Sequence, residues 1–154
     1  MPDHLVDDLL PVIGNDPRVE AVAADADGLI LRIDGELLRI AADPEHGRTV
    51  CWAEVCRLLP GDAAAGAAAA RRYNGTMRTE TNLTMGLNAA RNVLILGGSM
   101  DVREIDAVAA VQAGLKVREA LDGARALLDS VLEEARGTKG PQMQAFGQLP
   151  LVRV

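Results

Sequence analysis

The chain has 154 residues, enough for one domain with a real core, since a domain of this size hides about 70% of its unfolded surface. Hydrophobic residues make up 49% and aromatics only 2%, so that core must be aliphatic and alanine-filled. With Lys+Arg 16 against Asp+Glu 22 the formal charge is -6, which speaks against nucleic acid or an anionic membrane surface as the natural partner.

The amino terminus carries Asp3, Asp7 and Asp8 where a signal peptide would be basic, and no long apolar stretch follows. This predicts a cytoplasmic protein without membrane insertion. Leu5 to Ile13 then reads as a short amphipathic helix, with Leu5, Leu9, Val12 and Ile13 on one stripe and Leu10 at its margin. Gly14-Asn15-Asp16-Pro17 stops it by turn chemistry.

Two Asp-Gly dipeptides punctuate the alternating segments that follow, and each favours a two-residue hairpin turn. A loop at Asp34-Gly35 sets Leu31 opposite Leu38 and Leu29 opposite Ile40. A loop at Asp27-Gly28 sets Ala24 opposite Leu31 and Val22 opposite Ile33. Both turns give the same buried side, which a one-residue slip would destroy, so a three-stranded meander is expected from about Glu20 to Ala42.

Thr49 to Leu59 reads as a fourth strand, ended by Pro60-Gly61-Asp62, with Asp62 placed to cap the next helix. Ala63 to Ala70, interrupted by Gly66, is an alanine-rich helix whose small side chains permit close approach of another helix. Leu83 to Leu87 and Val93 to Leu96 form a second hairpin around Asn88 to Arg91. After Gly97-Gly98, Ser99 or Asp101 can cap a closing helix that runs to about Arg136. Its stripe is Val117, Leu121, Ala124, Leu128, Val131, Leu132 and Ala135, with Ile105, Val108, Val111 and Leu115 on a wider covered surface.

Gly137-Thr138-Lys139-Gly140-Pro141 is expected to break that helix. The chain then divides into a single domain of residues 1–137 and a flexible or partner-docking tail of 138–154. The pattern α-β-β-β-β-α-β-β-α predicts an α+β fold, a single antiparallel twisted sheet with helices packed on it. From Gln144 to Val154 the tail carries the apolar Phe146, Leu149, Leu151, Val152 and Val154, and Leu149, Leu151 and the alternation to Arg153 suit strand addition at a sheet edge.

Chemistry-bearing constellations are scarce. His4 and His46 sit at no metal-ligand spacing from each other or from a cysteine, and Ser99 and Ser130 lack a nucleophile-elbow context. Glu133-Glu134 and Asp7-Asp8 fit solvated helix faces. Cys51 and Cys56 are roughly 16 Å apart on an extended chain and on opposite faces, so they are expected to be reduced thiols. A reactive thiol would need a nearby cation to lower its pKa, and Arg57 adjoins Cys56. The expectation is a binding protein that is not an enzyme and uses no metal or cofactor.

The opening Leu5-Val6-Asp7-Asp8-Leu9-Leu10 up to Gly14, Leu29-Ile30-Leu31-Arg32-Ile33 with Leu38-Arg39-Ile40, and Leu58-Leu59-Pro60 before a helix resemble the Tir chaperone family of class I type III secretion chaperones. Met85-Gly86-Leu87-Asn88 followed by Val93-Leu94-Ile95-Leu96 is similar to that family's Leu-Gly-Leu-Asp, turn and apolar strand. Asn74 falls where the family often closes its middle helix with Ala-Asn. The middle helix departs from the pattern in being mostly alanine, and the tail lies beyond the usual end.

The resemblance implies a homodimer in a bacterial cytosol that binds the amino-terminal segment of a secreted effector and keeps it soluble and export-competent, without a cofactor. Such a segment lies extended, with apolar side chains in shallow patches and in some cases a strand added to the sheet edge. Leu5, Leu9 and Val12 with Leu29, Leu31, Leu38 and Ile40 are the candidate partner-binding residues. Ala64, Ala68, Arg71 and Arg72 are the candidate dimer contact. Two other functions compete: a regulatory adaptor of the same fold for a cytosolic protein, and an enzyme using Cys51 or Cys56 as its thiol.

Overall fold

The computed structural model describes residues 3–43, 45–100 and 106–144. In chain order it forms α1 (Asp3–Gly14), β1 (Ala21–Asp25), β2 (Gly28–Ile33), β3 (Glu36–Asp43), β4 (Arg48–Arg57), a 3-10 turn (Pro60–Asp62), α2 (Ala63–Thr76), a short α3 (Arg78–Thr81), β5 (Thr84–Asn88), β6 (Val93–Met100) and α4 (Ala107–Gln144). The strands make one antiparallel sheet in the order β1-β2-β3-β4-β6-β5, so the expected α+β architecture is present.

The meander shows how the turns set the register. Asp34 and Gly35 both have positive φ (49° and 78°), as a type I′ turn requires, and Leu31 pairs with Leu38 and Leu29 with Ile40 as expected. The first hairpin differs. Its loop is Ala26-Asp27, closed by the pair Asp25–Gly28, so Ala24 faces Leu29 and Val22 faces Leu31, two residues away from the expected pairing. The Asp25 carboxylate accepts the Asp27 N–H at 2.9 Å and fixes that loop one residue early. Gly28 then opens β2 at φ 141°, where a Cβ would collide with the Ile40 carbonyl oxygen. Because the shift is even, the buried side stays the same.

That side forms the core. Leu29, Leu31 and Ile33 of β2, Leu38 and Ile40 of β3, Cys51 and Ala53 of β4, Met85 of β5, and Leu94 and Leu96 of β6 are all buried. Each fully buried leucine or isoleucine contributes about 1.5–3 kcal/mol. Helix α4 lies across β2, β3, β4 and β6, with α1 beside it at β1 and α2 beside it at β5. It presents Val117, Leu121, Ala124, Leu128 and Val131 of the stripe read from sequence, with Ala110 and Val111 added nearer its start and Leu132 and Ala135 only half-buried, and α2 presents Gly66, Ala69, Ala70 and Tyr73. Among the described residues all the helical cover is on this face, and no helix lies on the other.

Four local expectations are corrected. Asp62 makes no side-chain cap bond on α2; its carboxylate instead accepts from Arg136 of α4 at 3.3 Å. Gly97, Gly98 and Ser99 belong to β6, since Gly97 faces Trp52 and a Cβ there would press on the Cys51 carbonyl oxygen and Trp52 Cβ at 2.7 Å. The cap of α4 is Asp106, whose Oδ1 accepts the Ala109 N–H at 2.7 Å, whereas Asp101 lies outside the described residues. Val108, expected on a covered surface, is 71% exposed because it stands about 200° around the helix from buried Ala110.

The expected break after Arg136 is also corrected. Helix α4 continues through Gly137, Gly140 and Pro141 to Gln144. Residues 145–154, most of the expected docking tail, lie outside the described residues.

Candidate partner-binding surface

The two outer strands of the sheet have different surroundings. At β5 the start and centre of the outer edge are occupied. Met85 turns its N–H and C=O away from β6, and the Asn74 side chain of α2 takes both: Met85 N–H donates to Asn74 Oδ1, and Asn74 Nδ2 donates to the Met85 carbonyl, each at 2.9 Å. One step earlier, Leu83 N–H donates to Thr81 Oγ1 at 3.3 Å. That hydroxyl is 2.8 Å from the Met77 carbonyl and 3.0 Å from the Tyr73 hydroxyl, and Tyr73 is wholly buried.

At β1 there is no comparable cover. Among the described residues β1 pairs with β2 alone, and all of its residues but half-buried Val22 are exposed. Three of its five residues are alanines, too small to shield the main chain. Helix α1 runs beside it and offers exposed Val12 and half-buried Leu9 and Leu10, while Ile13 is buried beneath them. Asp7 and Asp8 are exposed on the same helix, adding negative charge to the region.

The sheet face opposite the helices continues from this edge. Arg39 of β3 donates to Asp25 of β1 at 3.0 Å and also lines a shallow hollow of about 950 Å³ with Leu37, Ala41, Trp52, Glu54 and Arg91. Hydrogen bonding from Arg39, together with the Asp27 N–H, holds the Asp25 carboxyl below its ordinary range. Sequence reasoning did not single out Trp52 or Leu37. Their signal was available as the opposite parity of the same strands, with an aromatic and a leucine where solvated residues would be routine.

The sequence-derived candidates separate on this geometry. Leu29, Leu31, Leu38 and Ile40 are at most 1% exposed, because α4 covers that side of the meander, and they are core rather than a contact surface. Leu9 and Val12 remain accessible, and Leu5 lies on α1. Ala64 and Arg71 of α2 are exposed, Ala68 is half-buried with one side against the core, and Arg72 pairs with Glu134 of α4 at 3.3 Å.

No group of three or more His, Cys, Asp or Glu among the described residues is placed to hold a metal ion. Burial pushes the Cys51 thiol up to about 12, so it is no nucleophile at neutral pH, and Cys56 Sγ donates to the Arg57 carbonyl at 3.3 Å. No helix among the described residues is long and apolar enough to cross a membrane.

No protein-family model matches the chain, and no curated protein is significantly similar to it in sequence. Its fold is similar to a chain of the solved structure of the HopA1-SchA chaperone-effector complex, with a TM-score of 0.55 and 14% identity over 79% of this chain and 93% of that one. The likeness is one of fold, the single antiparallel sheet covered by helices.

Proposed function

We propose that this chain is a chaperone of the Tir type that holds the amino-terminal segment of a secreted effector in an extended form in the bacterial cytoplasm. The observation that carries the reading is the asymmetry of the sheet: β1 is exposed beside the accessible Leu9 and Val12 of α1, while β5 is blocked at its centre by the Asn74 side chain. An extended segment adding to β1 gains main-chain hydrogen bonds from the edge and places alternate side chains against α1. It can continue over the face opposite the helices toward Trp52, where Arg39 joins edge and hollow. The likeness to a chain of a chaperone-effector complex supports the same reading.

As in the resembling family, the working unit is a homodimer, with the exposed Ala64 and Arg71 of α2 and the accessible part of Ala68 as its contact. The experiment is site-specific photo-crosslinking in cells, with a photoreactive residue in place of Ala23 on β1 or of Thr84 on β5. Mass spectrometry should find amino-terminal segments of exported proteins on the Ala23 derivative and not on the Thr84 derivative. Crosslinks only to resident cytosolic proteins would support the regulatory adaptor instead, and no segment-specific crosslink at Ala23 would sink both.

A further inference from the structure

A sheet whose outer strand is fully formed and unguarded pairs readily with other strands, its own copies included. Strand β5 is such an element by sequence. Thr84–Asn88 is short, its partner β6 is eight residues long, and Gly86 carries no side chain that could obstruct an incoming chain. The outward groups of an antiparallel edge fall on alternate residues, here Leu83, Met85 and Leu87, and Thr81 and Asn74 meet the Leu83 N–H and both groups of Met85, at the start and centre of the strand.

We infer that the α2–α3 elbow serves as a surrogate seventh strand: Asn74, supported by the Tyr73–Thr81 hydroxyl pair, closes β5 at Met85, leaves too short an open edge for a paired strand, and so directs strand addition to β1. A primary amide matches a peptide group in presenting one donor and one acceptor side by side, so Asn74 reproduces the reciprocal pair of an antiparallel neighbour. The fit is two-sided, which no other single side chain type except glutamine could supply. The elbow is held in place from below. Tyr73 is buried, Asn82 ends α3 in the left-handed region at φ 57°, and the Thr81 hydroxyl is fixed against the Met77 carbonyl. The inference rests on the fold and these hydrogen bonds alone and holds whether or not the chain binds an effector.

The test compares the self-association of full-length variants by sedimentation velocity over a range of concentrations. Asn74→Ala leaves the Met85 N–H and C=O without partners at an exposed edge and is expected to double the particle size relative to the unsubstituted chain as concentration rises. Adding Gly86→Lys should reverse this, because a lysine opposes edge-to-edge pairing and a side chain at Gly86 meets no atom within 4 Å. Circular dichroism checks folding first. Should Asn74→Ala fail to fold, Thr81→Val keeps the shape and uncovers only the Leu83 end, and association above that of the unsubstituted chain is again the supporting result. Unchanged sedimentation of the folded variants, or association that Gly86→Lys does not reverse, would overturn the inference.

Discussion

The guanidinium of Arg125 on α4 holds the Glu36 carboxylate at both oxygens, at 2.7 and 2.8 Å, and its Nε donates to the Val55 carbonyl at 2.9 Å. Val55 falls where the β4–β6 register shifts between Glu54 and Cys56, so its carbonyl is released from the ladder and needs another donor. One side chain thus ties the closing helix to the start of β3 and to the bulge of β4.

Arg125→Met is therefore expected to lower stability by about 2 kcal/mol, the range for charge-assisted hydrogen bonds at a partly buried site. Glu36→Gln should cost less, because Arg125 keeps its bond to Val55. Hydrogen bonding from Arg125 lowers the Glu36 pKa below the ordinary carboxylate value, so at acidic pH the unfolded chain takes up the proton first. The contribution is complete above the unfolded pKa of about 4.3 and is lost as pH falls through the lower folded value. Urea titrations of the unsubstituted chain and Glu36→Gln should give a constant difference above about pH 5 that shrinks on further acidification. A difference that grows as pH falls would contradict the pairing.

Local rules made the sheet legible and tertiary contacts did not follow from them. Asp34-Gly35 fixed its hairpin because both residues adopt positive φ, and alternation around it identified the buried side. The same dipeptide at Asp27-Gly28 misled by two residues, because Gly28 serves close approach to Ile40 and not the loop. Periodicity also placed Leu29, Leu31, Leu38 and Ile40 on one side without revealing that α4 lies over it. The pairing of Asn74 with Met85, eleven residues apart through a helix end, leaves no periodic trace at all.

The two turn glycines should respond differently to alanine. At Gly35 the positive φ of 78° is the only obstacle, since a Cβ there meets nothing within 4 Å, and Gly35→Ala should cost about 1–2 kcal/mol. At Gly28 the strain at φ 141° is joined by a collision with the Ile40 carbonyl, on the backbone of the neighbouring strand. Gly28→Ala should therefore destabilise more, as read from denaturation midpoints. Equal midpoints would mean that β2 can move off β3 at that point.

Cys51 and Cys56 provide a chemical test of the thiol-enzyme reading. Cys51 is 2% exposed with its thiol pushed up to about 12 by burial, and Cys56 is half-buried. Iodoacetamide under native conditions should leave Cys51 unmodified and reach it only after denaturation, as mapped by peptide mass spectrometry. Full alkylation of accessible thiols should not change partner capture by the Ala23 crosslinker. Loss of capture on modification of Cys56 would place that thiol in the contact surface.

Val12 and Ile13 are neighbours in α1 with opposite fates, 58% and 0% exposed, and they separate binding from folding. An aspartate at either position meets the same unfavourable helix carboxyl end, so that penalty cancels in the comparison. Ile13→Asp buries a charge without a partner and should cost about 4 kcal/mol or more. Val12→Asp removes only an accessible side chain and should leave stability within about 1 kcal/mol of the unsubstituted chain. If the α1–β1 edge is the docking surface, Val12→Asp nevertheless abolishes the Ala23 crosslink while the thermal melt is nearly unchanged. A Val12→Asp chain that melts normally and still crosslinks at full yield would remove α1 from the proposed surface and leave the β1 main chain to act alone.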